Sequence, residues 1–549
     1  MGIRKIFENY FSIWQHALKR NTINKFEAVV LRIMVALLVF SNVFMFTRNE
    51  EGYYSGYPVI IILDTILIYL LIMMSISILL YHSEFCHKDL FSLKSSSPNC
   101  SDLKYFIITT AIQFFLWLPV FLAYYPGLFA YDVPAQIVQW THGFSTHHPL
   151  IHTLYLDFFY YIVGGKILHN YNLGIALATL SQMLLFSLML SFSHLYFRKI
   201  GTKKIWRIIL ILAAGLLPLF SMLVIAQTKD VFFAGFVGMM VTCMAFVITD
   251  INISHKKSFI FLYLLSVVGV ILFRNNGIYA VTGALAMEII IFLKWKKTTL
   301  LKQTFIGLLI GILLLIGLKT VLHAKPGSLN EALSIPYQQI ACVYRDHTDT
   351  LTSSEKEEII ELIPNVEKYN PHKSDAIKKD ANIEQNHRKL VKLWVKLGIR
   401  YPGSYMKAFM DLNAGNIYLK DDSYSHMYGT QNRQGIFLTD TKKGYDIVHI
   451  SLFPQLENLY ESLYTENNYR YVFGLNILCS PALYLWAILF SMVMLAREKK
   501  ALPLIAFLFV LILTIIAGPC ALPRYILPLT VSLPQVILLN FVIRRDEKR

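Results

Sequence analysis

Residues 124–153 read YYPGLFAYDVPAQIVQWTHGFSTHHPLIHT and follow a long apolar segment. The stretch contains Asp132, Gln136 and four histidines among several aromatic residues. Polar side chains are costly to place where a hydrophobic span ends, so they commonly mark a functional site. An amphipathic loop that lies on the lipid headgroups is the plainer alternative. The stretch also separates the apolar spans that precede it from those that follow, so the membrane topology depends on it.

The composition is typical of a polytopic membrane protein. Of 549 residues, 55% are hydrophobic and only 16% are charged. The net charge of +16 does not indicate a nucleic-acid partner, because membrane proteins concentrate Lys and Arg in their cytoplasmic loops. The six cysteines show no paired spacing, so the sequence predicts neither a zinc site nor a disulfide framework.

Apolar runs of about 20 residues, the length that crosses a bilayer as a helix, predict an all-α fold. The predicted spans number 12 and cover about 27–47, 58–80, 104–124, 172–196, 207–225, 231–249, 258–273, 277–293, 303–321, 472–495, 501–517 and 524–543. A further apolar piece, residues 150–168, is assigned by charge. If it does not cross, cytoplasmic segments hold 26 Lys and Arg and the short external loops hold 5. The positive-inside rule therefore predicts a re-entrant or interface-parallel helix at 150–168.

This topology places both termini in the cytoplasm and divides the chain into four parts. They are a cytoplasmic interfacial helix at 1–26, a transmembrane catalytic module at 27–321 with a re-entrant or juxtamembrane segment at 125–171, an extracytoplasmic and mainly helical domain at 322–470, and C-terminal transmembrane helices at 471–549. Within the external domain, Ser354 and Glu357 fit a capping box.

Unusual polar residues gather in the predicted external loops, where short turns bring them to one mouth of the bundle. The candidate substrate-binding residues are Gln136, His147, His148, Lys229, Asp230, Arg274, Asn275 and Arg524. Plainer alternatives remain: Lys229 and Asp230 as a surface ion pair at a helix start, and Arg274 as a side chain that reaches the lipid phosphates. The histidines show no diagnostic metal-ligand spacing.

One carboxylate among several cations suits a substrate linked to phosphate. Asp132 is the candidate catalytic residue, because a carboxylate can take a proton from an attacking hydroxyl. Arginine side chains can hold a phosphate in a bidentate manner and stabilise the charge that develops as it leaves. The apolar bundle can accept a lipid tail.

Several short motifs resemble an uncharacterised bacterial family of multi-pass membrane proteins with the architecture of GT-C glycosyltransferases. They are Pro126-Gly127 followed by Asp132 and Gln136, His147-His148-Pro149 with Thr153, Lys229-Asp230, Arg274-Asn275-Asn276-Gly277, Ile335-Pro336-Tyr337-Gln338-Gln339, and Pro523-Arg524-Tyr525 with Pro528. The resemblance implies interface-parallel helices in the first large external loop and an acidic residue there, which Asp132 matches. Here the acidic residue is single and two spans precede the usual first one.

The resemblance implies a GT-C enzyme of the bacterial cytoplasmic membrane with an extracytoplasmic active site. Such an enzyme transfers a sugar from a polyprenyl-phosphate carrier to an external glycan or lipid-linked acceptor of the cell envelope. Its partners are the donor, the acceptor and membrane lipids; no cofactor is firmly implied, and a divalent cation stays an open option. A transporter or flippase for an anionic lipid or glycan is the alternative, and it needs polar residues at several depths in the membrane.

The charge asymmetry predicts the sidedness of two loops. A cysteine placed between Arg198 and Lys204 should react with a membrane-impermeant thiol reagent only after the membrane is opened, whereas a cysteine at Ser328 should react in intact cells. Labelling of both single-cysteine variants in intact and permeabilised cells measures this. Reaction of the 198–204 cysteine in intact cells would overturn the topology and the location of the site together.

Overall fold

The computed structural model describes residues 25–46, 101–129, 132–296, 300–379, 381, 386–419, 447–464, 468–472 and 474–546, with scattered positions between 63 and 91. The described part of the chain is helical, and its extended segments pair only at isolated bridges. The predicted helix at 1–26, apart from its last two residues, and most of the predicted span at 58–80 lie outside the described residues.

The α-helices are numbered here in chain order. They are α1 (Lys25–Phe46), α2 (Asp102–Ala123), α3 (Val133–Ile137), α4 (Gln139–His142), α5 (Leu150–Asp157), α6 (Tyr171–Lys199), α7 (Lys204–Leu216), α8 (Pro218–Ile225), α9 (Lys229–Thr249), α10 (Lys257–Phe273), α11 (Gly277–Trp295), α12 (Leu301–Val321), α13 (Ser334–Asp346), α14 (Ser353–Leu362), α15 (Asp375–Lys378), α16 (His387–Arg400), α17 (Pro402–Leu412), α18 (Ala414–Ile417), α19 (Pro454–Tyr464), α20 (Leu475–Leu478), α21 (Pro481–Leu495), α22 (Leu502–Ile516) and α23 (Pro523–Asp546). A π-helical segment, Phe158–Ile167, continues α5.

Among the described residues, eight helices are long and apolar enough to cross a membrane, and each coincides with a predicted span. They are α1, α2, α6, α9, α11, α12, α22 with the turn that precedes it, and α23. The predicted span at 207–225 is instead a pair, α7 and α8, bent by 52° where Pro218 begins the second helix. The shorter apolar helices α10 and α21 occupy two further predicted spans. The protein is thus a helical, membrane-embedded protein, and the total of 12 spans stays a prediction.

The helix α9 forms the centre of the bundle. Nearly all of its apolar window, 94%, is buried inside the protein, so it faces other helices on every side. Close approach depends on glycine: a Cβ on Gly238 would lie 2.4 Å from Val531 of α23, and one on Gly269 of α10 would meet the ring of Phe236. Small residues let membrane helices pack at short range, where dispersion contacts hold them together.

Polar side chains also pair inside the bundle, which the sequence reasoning did not anticipate. Gln113 of α2 lies 2.8 Å from His194 of α6. The Nε2 of Gln535 donates to Ser193, whose hydroxyl lies 2.9 Å from that of Thr242. These contacts connect neighbouring helices within the membrane part, as buried polar groups must find partners there.

The described residues between 329 and 417 form a group of short helices with a hydrophobic core of their own. The buried residues Ile340, Leu351, Ile359 and Leu393 belong to this core. The capping box at the start of α14 uses Thr352 and Glu355, so the expected pair Ser354 and Glu357 is wrong by two residues. The run Thr-Ser-Ser-Glu-Lys-Glu-Glu fits the motif in both registers.

Ion pairs mark the two ends of the bundle. At one end Glu27 of α1 pairs with Arg497 at 3.0 Å, and Asp102 at the start of α2 pairs with Lys199 at the end of α6. Asp102, Lys199 and Arg497 belong to predicted cytoplasmic segments, and Glu27 is the first residue of the first predicted span. The candidate site residues and the domain of residues 329–417 lie at the opposite end of the same helices.

Gly277, at the start of α11, allows a steric test of how closely the helices pack beside the site. A Cβ on Gly277 would lie 2.0 Å from the backbone oxygen of Val270, which cannot move without shifting α10. We expect Gly277→Ala to lower the free energy of unfolding by about 1–3 kcal/mol. A Cβ on Gly317 of α12 meets nothing within 4 Å, so Gly317→Ala is the matched control and should not destabilise. Thermal unfolding in detergent compares them, and equal melting temperatures would contradict the close approach.

Candidate functional site

Backbone pairing brings Asp132 to the start of α9. Residues 126–129 run parallel to residues 225–228, where Leu128 N donates to Ile225 O at 2.9 Å and Gln227 N donates to Leu128 O at 3.3 Å. Asp132 follows the first segment and Lys229 follows the second, so the two side chains meet.

A buried amide and a glycine hold this pairing in place. Gln227 Nε2 donates to Thr179 Oγ1 at 2.7 Å, and Thr179 Oγ1 donates to the oxygen of Pro126 at 2.9 Å. Gly127 has φ +114°, and a Cβ there would lie 2.3 Å from Thr179. Glycine is therefore required at this turn for both its conformation and its size.

Asp132 is the acceptor of an ion-pair network. Its Oδ2 lies 2.6 Å from Lys229 Nζ and 3.4 Å from a terminal nitrogen of Arg524. Asp132 precedes α3, but its side chain makes no helix cap, so its oxygens are available to the cations. The Asp132 side chain is about one-third exposed, whereas Lys229 and Arg524 are mostly buried.

A second carboxylate completes the network. Asp230, fully buried in the first turn of α9, lies 2.9 Å from Arg274 and 3.6 Å from Arg524. Arg524 therefore sits between the two carboxylates. The guanidinium groups of Arg274 and Arg524 also lie 4.7 and 5.0 Å from the ring centre of Tyr525, which is cation–π distance. These five charged residues, Asp132, Lys229, Asp230, Arg274 and Arg524, are called the ion cluster below.

The ion cluster has two negative and three positive side chains, so its net charge is +1. Burial alone would raise the pKa of Asp132, but the neighbouring charges of Lys229 and Arg524 hold that pKa well below its usual range. An excess of positive charge suits an anion. Within the described part of the chain, no group of three or more His, Cys, Asp or Glu side chains is arranged to hold a metal ion. The described side chains therefore form no site that would hold a divalent cation by protein ligands alone.

His148 extends the ion cluster as a neutral ring. Its Nδ1 lies 3.1 Å from Lys229 Nζ, and an ammonium group can only donate, so Nδ1 accepts and the ring proton is assigned to Nε2. Burial and the neighbouring Lys229 lower the pKa of His148 from 6.5 to about 3. The ring can therefore donate a hydrogen bond from Nε2 while it stays uncharged.

The loop that carries the two histidines is fastened from two sides. Thr146 N donates to Lys325 O at 2.8 Å, and Gly327 N donates to Thr146 Oγ1 at 2.9 Å, which joins the loop to the chain beyond α12. Asn275 donates to the oxygen of Thr146 at 3.0 Å. Asn275 thus positions the histidine loop as well as facing the site.

A cavity of about 870 Å³, called the mouth cavity below, lies at this end of the bundle. Ligand pockets commonly have 300–1,000 Å³, so it can hold a small ligand. Most of the residues predicted from the sequence line it; they are Asp132, His147, His148, Lys229, Arg274, Asn275 and Arg524.

The other two predicted residues are not among those that line the mouth cavity. Asp230 lies behind Arg274 and holds it. Gln136 is buried, its oxygen lies 3.0 Å from His152 Nδ1, and its amide nitrogen lies 3.3 Å from Thr153 Oγ1. Both contacts go to α5, so Gln136 connects α3 to α5. Both residues hold other parts of the site in place, and their contact with substrate stays a prediction.

The opposite wall of the mouth cavity comes from the domain of residues 329–417. Its charged residues Glu331, Asp375 and Lys378 were not among the predicted site residues. Lys378 is buried and lies 2.5 Å from Glu331 and 3.1 Å from Asp375. Both carboxylates are nearly half exposed and line the cavity. Ser374 donates its backbone N–H to Pro519 O at 3.0 Å and its hydroxyl at 3.3 Å, which ties this wall to the loop before Arg524.

Residues 141–549 match a protein family described as a family of unknown function, DUF6020. The matched range includes the histidine loop, Lys229, Arg274 and Arg524, and it begins after Asp132 and Gln136. No curated protein and no solved structure matches the chain.

The lowered pKa of His148 predicts a pH dependence of stability. In the unfolded chain the ring takes up a proton below about pH 6.5, whereas in the folded protein it resists protonation down to about pH 3. Stability should therefore fall as the pH drops below 6.5, by up to about 1.4 kcal/mol per pH unit for this group.

We expect His148→Gln to make the pH dependence of the melting temperature between pH 4 and 7 shallower. His142 is exposed on α4, so His142→Gln serves as the control and should follow the wild type. Parallel profiles for wild type and His148→Gln would show that the ring is not held neutral.

Proposed function

The chain belongs to DUF6020, a family of unknown function, and we propose that it is a membrane glycosyltransferase of GT-C type. It transfers a sugar from a polyprenyl-phosphate carrier to an extracytoplasmic glycan or lipid-linked acceptor. The membrane is the bacterial cytoplasmic membrane, both termini are cytoplasmic, and the mouth cavity opens on the outer side.

The observation that carries the proposal is the composition of the mouth cavity. A carboxylate and three cations face one space at the end of an apolar bundle, and a polar wall covers that space from the domain side. A lipid-linked phosphate brings a negative head to the cations while its tail stays in the bilayer. A neutral sugar on the phosphate then lies between the ion cluster and the domain wall.

The ion cluster supports a mode of donor binding in which the phosphate takes the place of the Asp132 carboxylate beside the cations. In the described structure Asp132 itself is the anion that Lys229 and Arg524 hold. A donor phosphate that takes these two cations frees the Asp132 carboxylate. Once its cations are shared with the phosphate, the pKa of Asp132 rises and the carboxylate becomes a stronger base. Donor binding thus prepares the base for the reaction.

The transfer step then balances as follows. A hydroxyl of the acceptor gives its proton to Asp132, and its oxygen forms a bond to the anomeric carbon of the donor sugar. The bond between that carbon and the phosphate oxygen breaks, and the electron pair leaves on the phosphate. Arg274 and Arg524 stabilise the charge of the leaving polyprenyl phosphate. The Nε2–H of His148 donates to a sugar or phosphate oxygen.

A transporter or flippase for an anionic lipid or glycan is the second candidate. The buried polar contacts of Gln113, His194, Thr242 and Gln535 favour it, because they place polar groups within the membrane as well as at its mouth. These buried pairs add to the polar residues that were expected at one mouth of the bundle. None of these four side chains lines the mouth cavity, and each bonds to a neighbouring helix, which supports the enzyme as the first candidate.

The proposed role of Asp132 as the base leads to the first activity test. With a labelled polyprenyl-phosphate sugar as donor, Asp132→Asn should lose about 10²–10⁴-fold in the release of polyprenyl phosphate, because an amide cannot take the proton. Asp102→Asn, which breaks an ion pair at the other end of the bundle, is the matched control and should keep its turnover. The folded fraction is measured for both, since Asp132 also neutralises Lys229. Full activity of Asp132→Asn would exclude this residue as the base.

The phosphate contact predicts a second test. Arg274→Lys keeps the charge but loses the planar fork and the stacking on Tyr525. Loss of a charged phosphate contact costs about 2–5 kcal/mol, so donor affinity or turnover should fall roughly 30-fold or more.

Arg198→Lys provides the control, because Arg198 also pairs with an aspartate and stacks on a tyrosine, at the other end of the bundle. Donor titrations of wild type and the two variants decide the matter. Superimposable curves for wild type and Arg274→Lys would leave Arg274 at the lipid headgroups and Arg524 as the main phosphate ligand.

A further inference from the structure

The helix α16 has an apolar stripe that the described chain does not cover. One side of the helix is buried in the domain core. On the other side Val391, Val395 and Ile399 are 52%, 47% and 80% exposed. They recur every four residues, so they lie above one another on one helix face. Three branched apolar side chains at this spacing are unusual on a surface that faces only water.

Two cations accompany the stripe. Arg388 and Lys392 are exposed and precede Val391 and Val395 by three residues, which places them on the same side of α16. Neither makes an ion pair with a described residue. By contrast, Lys389 and Lys396 on the flanks of the helix pair with Glu361 and Glu355. The stripe is therefore basic and apolar, which is the pattern of a helix that lies on an anionic lipid surface.

The position of α16 points to the same partner. The chain that leaves it, from Arg400 to Ser404, lines a cavity with Phe44, which lies in the last turn of the membrane helix α1. The next helices are also fastened there: Phe409 and Met410 pack against Phe44 and Met45.

A hydrogen bond sets the depth of this junction. Asn42 Oδ1, one turn from the end of α1, accepts from Leu419 N at 2.9 Å. The segment that follows α16 is thus held at the level where α1 leaves the apolar layer. The C-terminal end of the stripe, at Ile399, therefore lies near the level of the membrane boundary.

We propose that α16 lies on the lipid surface, with Val391, Val395 and Ile399 at the boundary between acyl chains and headgroups and with Arg388 and Lys392 at lipid phosphates. The leaflet is the one at the mouth-cavity end of the bundle. This attachment fixes the domain over the cavity, because α16 packs on α13, and α13 directly follows the turn that carries Glu331.

The depth of single positions on α16 tests the proposal with the full-length protein in lipid nanodiscs that contain phosphatidylglycerol. Spin labels are placed on Ile399→Cys and, as the control, on Glu357→Cys, an exposed carboxylate position on the neighbouring helix α14. We expect collisions with oxygen to exceed those with a water-soluble nickel chelate several-fold at residue 399, and the reverse at residue 357. The described native cysteines are buried, and labelling of the wild type gives the background.

Two outcomes at residue 399 would overturn the proposal. Equal access of the nickel chelate at 399 and 357 would place the stripe in water. Shielding of residue 399 from both reagents would indicate a protein that covers the stripe, either a partner or a second copy.

The charges are tested with the label kept at residue 399. Replacing Arg388 and Lys392 by Gln, or replacing phosphatidylglycerol by phosphatidylcholine, should move the label towards water. Replacing Lys389 and Lys396 by Gln removes the same charge from the flanks and should leave the depth unchanged. An equal shift in the control pair would mean that net charge alone acts, and the assignment of Arg388 and Lys392 to lipid phosphates would fail. Melting temperatures confirm that all variants are folded.

Discussion

The need to neutralise buried charge at the end of an apolar bundle organises this protein. Arg524 lies between Asp132 and Asp230, and each carboxylate holds a further cation. A buried charge without its partner costs several kcal/mol, so the network forms only when all its members arrive together. They come from the loop before α3, the start of α9, the end of α10 and the start of α23. The relative positions of these helix ends are therefore coupled to one set of ion pairs.

The same requirement explains how a closed network can serve as a binding site. In the proposed reaction the Asp132 carboxylate holds the two cations that the donor phosphate would contact, so Lys229 and Arg524 are paired before the donor binds. Under this proposal the donor phosphate replaces one anion by another, which is less costly than the dehydration of free cations. The domain wall with Lys378 repeats the arrangement, because that lysine holds two carboxylates at the cavity edge. Both walls of the mouth cavity thus carry cations that already hold carboxylates, while the ion cluster keeps its net charge of +1.

The sequence predicted the helical membrane architecture and most of the cavity because hydropathy and charge mark both. Asp132, Lys229, Arg274 and Arg524 were recognisable as polar residues at the ends of apolar spans. Gln136 shares that position, but its side-chain direction depends on packing against α5, which no local pattern records. Glu331 and Lys378 lie in a polar segment where charged residues are common, so nothing distinguished them. The paired Gln113 and His194 were missed because single polar residues scarcely lower the hydropathy of a span. The bend between α7 and α8 had a signal, Pro218.

The hydrogen bonds from Ser374 to Pro519 connect the domain mechanically to the site. Both donor groups of Ser374 hold the backbone oxygen of Pro519, and only a few residues separate that oxygen from Arg524 at the start of α23. A tilt of the domain would therefore displace this short loop and, with it, the guanidinium of Arg524 between the two carboxylates. Because both hydrogen bonds go to a main-chain oxygen, this mechanical connection does not depend on which side chain occupies position 519.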